Sequence, residues 1–246
     1  MHAATASRPY RDEMTVGGEG PTAPVPVFID VDTGVDDAMA LVYLFASKEA
    51  ELIGIASTAG NVPVQQVCRN NLGLLDLCQI TGVPVSKGSD QPVSTPLRTA
   101  EDTHGPEGLG YARLPSTDGQ LTTHDAAEAW VRAAHAYPGE LVAIATGPLT
   151  NLALALRIEP ALPKLLRRLV IMGGAFDYRG NTTPVAEWNI SVGVIAMFSV
   201  RFRPSTIGMC FGGSSPHAAP HTVNTSAAAS GSTLMFHSAT GVVLPR

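Results

Sequence analysis

At 246 residues, with 45% hydrophobic and 15% charged side chains, the chain has the material for one folded domain and too many apolar residues for a disordered one. A formal net charge of −5 argues against a nucleic-acid-binding surface, which would show a basic stripe. The apolar runs, such as Ala38 to Ala46 and Leu141 to Ala145, fall far short of the ~20 residues of a spanning helix, which argues against a membrane protein.

Met1 to Pro24 mixes Gly, Pro, Thr and charge, lacks the apolar core of a signal peptide, and is expected to be a disordered extension over residues 1–24. Val27-Phe28-Ile29 predicts a buried strand that ends in the turn Asp30-Val31-Asp32-Thr33-Gly34. Asp37 to Ser47 is apolar nearly all round and predicts a buried helix. A strand over Leu52 to Ser57, a loop at Thr58 to Asn61, a helix over Val64 to Ile80 and a short strand over Val83 to Ser86 follow. Gly88 to Pro115 is a long loop rich in Gly, Pro and polar residues, a length that inside a domain is functional or disordered. A helix is expected over Thr123 to Tyr137, starting near Thr123 or His124 and stopped by Pro138-Gly139. Leu141 to Ala145 predicts a strand, Leu149 to Arg157 a helix, and Leu169 to Met172 a strand before Gly173-Gly174. The cysteines (Cys68, Cys78, Cys210) are few and far apart, which suits reduced thiols that fill space in a cytoplasmic protein.

This alternation predicts an α/β fold with a mostly parallel, Rossmann-like sheet flanked by helices on both faces. Ligands of such sheets sit outside the carboxyl ends of the strands. Asp30 and Asp32, Asn61, Thr146 and Met172 all directly follow an apolar strand, so one site is expected to gather them.

Asp30 and Asp32 are two apart on a strand and leave it on the same face. Asp36 and Asp37 open the following helix, where the dipole favours negative charge and Asp36 is placed to cap free N–H groups. Four carboxylates within eight residues repel one another unless protons or a cation neutralise them. Carboxylate oxygens without His or Cys select a hard cation, calcium or magnesium. The plainer alternative is one capping aspartate, one that ties the loop, and the others solvated. A strand ending in Asp-x-Asp also opens the magnesium-dependent phosphotransferases of the haloacid-dehalogenase type, although Gly34 and the Asp36-Asp37 pair depart from their pattern.

Taken together, Asp30 to Asp37 (DVDTGVDD), Gly60-Asn61-Val62, His104 to Leu109 (HGPEGL), Thr146 to Asn151 (TGPLTN), Met172-Gly173-Gly174 and Gly180-Asn181 through Ala186-Glu187-Trp188-Asn189 resemble the inosine–uridine nucleoside hydrolase family over roughly Val25 to Val192. The resemblance implies a ribonucleoside N-ribohydrolase, a homodimer or homotetramer, with calcium held by Asp32, Asp37 and the carbonyl of Thr146. It implies Asp32 as general base, deprotonating a water whose acidity the cation raises. Asp36, Asn61, Glu187 and Asn189 would hydrogen-bond the ribose hydroxyls, with Asn181 and Met172 close to the sugar and Asp30 in a supporting role. These residue types suit a sugar, because amides and carboxylates pair with vicinal hydroxyls and a buried polar site rejects a missing one. Negative charge around the ring also suits an oxocarbenium-like transition state. Thr150 and Asn151 read equally as helix caps, His104 as a lid residue or a solvated loop histidine, and Gly173-Gly174 as a tight turn.

After Val192 the family pattern stops. The family's later His-Asp pair, in which the Asp completes the calcium site and the His helps protonate the leaving base, has no counterpart in residues 193–246, and no Asp or Glu follows Glu187. A truncated or frame-shifted ending is expected there, with a natural low-charge tail as the alternative. Function therefore stands between a ribonucleoside hydrolase, impaired or not, and a non-catalytic ribose- or nucleoside-binding remnant, with the phosphotransferase third.

Overall fold

The apolar runs become the strands of a single parallel sheet in the computed structural model, which describes residues 23–93, 95–173, 182, 187–193 and 207–210. In chain order the elements are β1 (Val25–Val31), α1 (Val35–Ala46), β2 (Ala50–Ser57), α2 (Val64–Leu77), β3 (Val85–Lys87), α3 (Glu101–His104) and α4 (Ala126–Ala136). β4 (Val142–Ala145), α5 (Thr150–Ile158), α6 (Leu162–Leu165), β5 (Arg168–Met172), α7 (Trp188–Gly193) and β6 (Ile207–Cys210) complete them. The strand order is β3-β2-β1-β4-β5-β6. Order reverses between β1 and β4, and a crevice opens at such a switch point outside the carboxyl ends. Asp30 pairs with Ala56 on β2 and with Ala145 on β4, which brings the ends of these three strands level.

Side-chain alternation along β1 assigns the two faces. Phe28 joins Ala143, Leu169 and Ile171 in the core beneath α4, α5 and α6. Ile29 and Val31 join Leu41 of α1 and Leu74 and Leu75 of α2 on the other side. Trp130 of α4 is fully buried, its ring set edge-on to Phe28 at 5.1 Å between centroids and 64° between planes. Among the described residues no helix is long and apolar enough to cross a membrane.

The structure corrects several local expectations. α1 is not buried all round: Asp37 and Leu41 face inward, while Met39 and Tyr43 are 71% and 75% exposed. An evenly apolar helix carries no periodicity to mark its inner face, and packing against only one layer leaves the other open. Asp36 does not cap α1; the Asp37 carboxylate accepts the Gly34 N–H at 2.8 Å. Asp125, rather than Thr123 or His124, caps α4 by accepting the Glu128 N–H at 2.8 Å. The short helices α3 and α6 fall where no helix was expected, being too short to display a period. β6 extends the sheet past residue 192, into the stretch for which no element was predicted. Apart from Ala23, Pro24, Gly193 and β6, the expected N-terminal extension and divergent tail lie outside the described residues.

Trp130 fills the space where α4 meets the sheet, so Trp130→Ala is expected to lower the free energy of unfolding by about 3–5 kcal/mol, read as a lower urea midpoint with unchanged slope.

Candidate active site

The chain leaves β1 through a turn that has almost no room for side chains other than its aspartates. A Cβ on Gly60 would collide with Asp32 Oδ2, and one on Gly34 would lie 2.6 Å from both Asn61 Nδ2 and His104 Nδ1. Asp30, Asp32 and Asp37 are 2%, 1% and 1% exposed, whereas Asp36 stays in solvent contact. The cluster is therefore not a set of solvated carboxylates around one cap.

Asp30 is the most fully engaged of the group. Its carboxylate accepts from Trp130 Nε1 at 2.7 Å, from Asn151 Nδ2 at 3.1 Å and from the Thr58 hydroxyl. Burial pushes its pKa up to about 6, against the pull of those hydrogen bonds. The Asn151 amide also donates to Ser57 O at 3.2 Å and Thr58 Oγ1 at 2.6 Å and accepts the Ser89 N–H at 3.3 Å. It is thus a strut between strand ends, not the cap of α5. A hydroxyl from Thr33 reaches Asn71 Oδ1 at 2.6 Å, and Asn71 passes the bond on to Ser57 Oγ at 3.0 Å. Neighbouring Asn70 donates to Glu107 O at 2.7 Å, which fixes the loop that carries His104.

Asp32 and Asp37 form a buried pair that does not itself line the cleft and is joined to it through Asn61. The backbone N–H of Asn61 donates to Asp32 Oδ2 at 2.9 Å, and its side-chain amide to Asp37 Oδ2 at 3.3 Å. The hydroxyl of Thr146, at the end of β4, donates to Asp37 Oδ1 at 2.5 Å. Asp32 Oδ1 is buried with no hydrogen-bond partner. Burial, and then the charge of Asp37, holds the Asp32 carboxyl well above the usual carboxylate range. Burial and the charge of Asp36 raise Asp37 in the same direction.

These donors fit a hard cation. The unsatisfied Asp32 oxygen, the adjacent Asp37 carboxylate and the Thr146 carbonyl are all oxygen ligands, the set calcium prefers. Asn189 Nδ2 donates to Thr146 O at 2.6 Å, which leaves that carbonyl a second lone pair. Among the described residues no group of three or more His, Cys, Asp and Glu side chains forms a metal cage. A cation here would therefore take part of its shell from the main chain and from water or ligand oxygens.

Beside this pair opens a cleft of about 510 Å³, lined among others by Asp36, Asn61, Met172, Glu187 and Asn189. Thus five residues expected at the sugar share one cavity, although they come from four separate strand ends and helix starts; Asn181 lies outside the described residues. Ile190, buried in the core, anchors the segment that carries Glu187 and Asn189. Burial pushes the Glu187 pKa up to about 7, opposed by the backbone N–H groups of Asn189, Ile190 and Trp188.

The long loop after β3 supplies the opposite wall. Ala100 N donates to Asn61 O at 2.9 Å, and His104 Nδ1 accepts the Val35 N–H at 3.2 Å, which puts the neutral ring's proton on Nε2. His104 is therefore a wall of the cleft rather than a solvated loop histidine. Two wall residues were not anticipated: the Arg98 guanidinium lies 5.5 Å from the centroid of the Trp188 ring, and both line the cleft. Trp188 sits inside the Glu-Trp-Asn motif and was legible as a neighbour of the sugar residues; nothing in the polar loop marked Arg98. Trp130 carries no mark in the sequence beyond its place in the helix expected over Thr123 to Tyr137.

Comparison with known proteins agrees with this geometry. The family model for inosine-uridine preferring nucleoside hydrolase matches residues 27–208. Uridine nucleosidase 1 of Arabidopsis thaliana is 39% identical over 165 residues, 67% of this chain and 49% of its own length. The pyrimidine-specific ribonucleoside hydrolase RihA of Citrobacter koseri is 39% identical over 168 residues, 68% of this chain and 54% of its own. The chain thus spans about half the length of the curated relatives it matches. Among solved structures, a purine-preferring ribonucleoside hydrolase from Gardnerella vaginalis superposes with a TM-score of 0.69 at 32% identity, over 76% of this chain and 60% of that one. A plant nucleoside hydrolase gives the same score and identity over 77% and 59%. The chain belongs to the inosine-uridine preferring nucleoside hydrolase family.

Proposed function

We propose that this chain hydrolyses the N-glycosidic bond of ribonucleosides to ribose and free base, with Asp32 as general base and calcium held by Asp32, Asp37 and the Thr146 carbonyl. The observation that carries this reading is Asp32 Oδ1, buried and unsatisfied beside a second buried carboxylate at the edge of a polar cleft. An unpaired buried acceptor is costly, and a proton or a cation is what offsets it. The relatives named as nucleosidases support ribonucleosides as the substrate class.

Asp36, Asn61, Glu187 and Asn189 would hold the sugar through its hydroxyls, with Met172 against the ring and Asn181 adding a further amide. A nucleoside held in this way would turn its anomeric carbon toward Asp32. Calcium, when bound, supplies a Lewis acid that raises the acidity of a nearby water and fixes its position. Asp32 accepts the proton of the water that attacks the anomeric carbon. As the glycosidic bond lengthens, positive charge builds on the sugar, and the surrounding carboxylates stabilise it. The phosphotransferase alternative loses support in this geometry, since both oxygens of Asp30 are occupied by Thr58, Trp130 and Asn151.

Ribose release from inosine and uridine is expected from the full chain in calcium, and Asp32→Ala is expected to reduce it by about 10²–10⁴-fold, the range for a lost general base. Undiminished release by Asp32→Ala would overturn the assignment; absence of release by the folded wild type would favour a nucleoside-binding remnant.

The raised carboxylates also predict a pH dependence of stability. Asp30 titrates near 6 when folded against an ordinary 3.8, and Glu187 near 7 against 4.5, so between about pH 4 and 7 the folded, metal-free chain retains protons the unfolded chain has released. Stability therefore falls as pH rises through that window, by about 3 kcal/mol for Asp30 alone. Thermal unfolding of the metal-free chain is expected at a higher temperature at pH 5 than at pH 8, with calcium narrowing the gap by stabilising the chain more at pH 8.

A further inference from the structure

We infer that Arg98, in cation–π contact with Trp188, takes up the negative charge of the departing nucleobase and is the residue that reads its C4 or C6 position, a carbonyl in the uracil and hypoxanthine of the family's preferred substrates and an amino group in cytosine and adenine. This deepens the hydrolase reading and rests on it.

Breaking an N-glycosidic bond separates charge: the sugar becomes cationic and the electron pair leaves with the base. The carboxylates of the cleft, Asp36 and Glu187, suit the first of these and oppose the second. Among the described residues lining the cleft, Arg98 is the side chain that carries a permanent positive charge. Its place in the chain ties it to the sugar residues from both sides. The Ala100 N–H, two residues on, is bonded to the Asn61 carbonyl, and Trp188 stands between Glu187 and Asn189. At 5.5 Å from the indole centroid the guanidinium of the exposed Arg98 makes a cation–π contact with Trp188 at the rim of the cleft, where its N–H groups are accessible to a ligand.

A guanidinium presents donors and no acceptor. It pairs with the O6/N7 edge of hypoxanthine as it does with that of guanine, and with O4 of uracil; the amino groups of adenine and cytosine turn donors toward it. In the reaction the C1′–N bond breaks, its electron pair passes into the base and spreads onto the carbonyl oxygen, and Arg98 donates hydrogen bonds to that oxygen without giving up a proton. Water supplies the hydroxyl that forms the new bond at C1′; the proton taken by Asp32 goes to solvent, and the base anion takes one from solvent. His104, the other basic residue of the wall, has its Nδ1 committed to the Val35 N–H and its ring against Gly34, at the acidic end of the cleft.

The test compares the full-length wild type with Arg98→Gln, Arg98→Lys and His104→Gln on uridine, cytidine, inosine, adenosine and p-nitrophenyl β-ribofuranoside, whose leaving group departs without help. The wild type is expected to favour uridine over cytidine and inosine over adenosine by about 10-fold or more, and Arg98→Gln to erase that preference. Arg98→Gln is expected to lower kcat on uridine and inosine about 100-fold and on the p-nitrophenyl riboside less than about 3-fold, with Arg98→Lys in between. An equal loss on every substrate, no loss, or a selective loss in His104→Gln but not in Arg98→Gln would overturn the inference. If the wild type cleaves no nucleoside, the hydrolase reading fails, and calorimetry with the free bases decides Arg98: hypoxanthine bound more tightly than adenine by the wild type but not by Arg98→Gln supports it, and equal or absent binding overturns it.

Discussion

Three carboxylates, Asp30, Asp32 and Asp37, are withdrawn from water where β1 runs into α1, and the architecture around them is organised by what each requires. An ionised carboxylate in a low-dielectric interior is unstable unless hydrogen bonds, protons or a counter-ion compensate it. Asp30 has three side-chain donors from three different elements and is thereby a structural node. Asp37 takes the Gly34 N–H, the Thr146 hydroxyl and the Asn61 amide, so one carboxylate ties together the ends of β1, β2 and β4. Asp32 receives a single backbone donor on one oxygen and none on the other. The gradient from a satisfied to an unsatisfied carboxylate runs outward along β1, and it distinguishes Asp30, a structural node, from Asp32, the base we propose.

The sheet order makes this arrangement possible. Because the chain crosses from one side of β1 to the other before β4, helices α1 and α2 leave on one face and α4 and α5 on the opposite face, and the loops diverge above the β1–β4 boundary. The crevice so formed is held open by polar struts rather than filled by apolar side chains: Asn151 bridges β1 and β2, Asn71 links α2 to Thr33, and Asn189 closes the far side onto Thr146. Each strut is a buried amide with its partners in place, and such networks specify a geometry more than they stabilise it. A site of this kind tolerates little displacement, since its walls come from strands far apart in sequence.

Much of this is legible in the amino-acid sequence. The strands were short apolar β-branched runs, and the polar residues at their ends carried the position of the site, because a parallel sheet brings all carboxyl ends to one side. What sequence could not show were relationships across the chain. The indole N–H of Trp130 meets Asp30 across 100 positions, and its apolar neighbours mark it only as core. Asn151 looked like a helix cap because it opens α5, but its partners come from β1, β2 and the loop after β3. Arg98 sits in a loop with no periodicity, where a charged side chain is by default solvated. The inward face of α1 was hidden for the opposite reason, an excess of apolar residues with no polar stripe to break the symmetry.

Calcium titration of the metal-free chain by calorimetry, repeated in two buffers of different ionisation enthalpy near neutral pH, tests the central claim most directly. If the buried carboxylates share protons until a cation replaces them, calcium binds with a stoichiometry of about one and releases protons, seen as a buffer-dependent heat that is lost in Asp37→Asn. No binding, or binding with no proton release that Asp37→Asn leaves unchanged, would contradict the account.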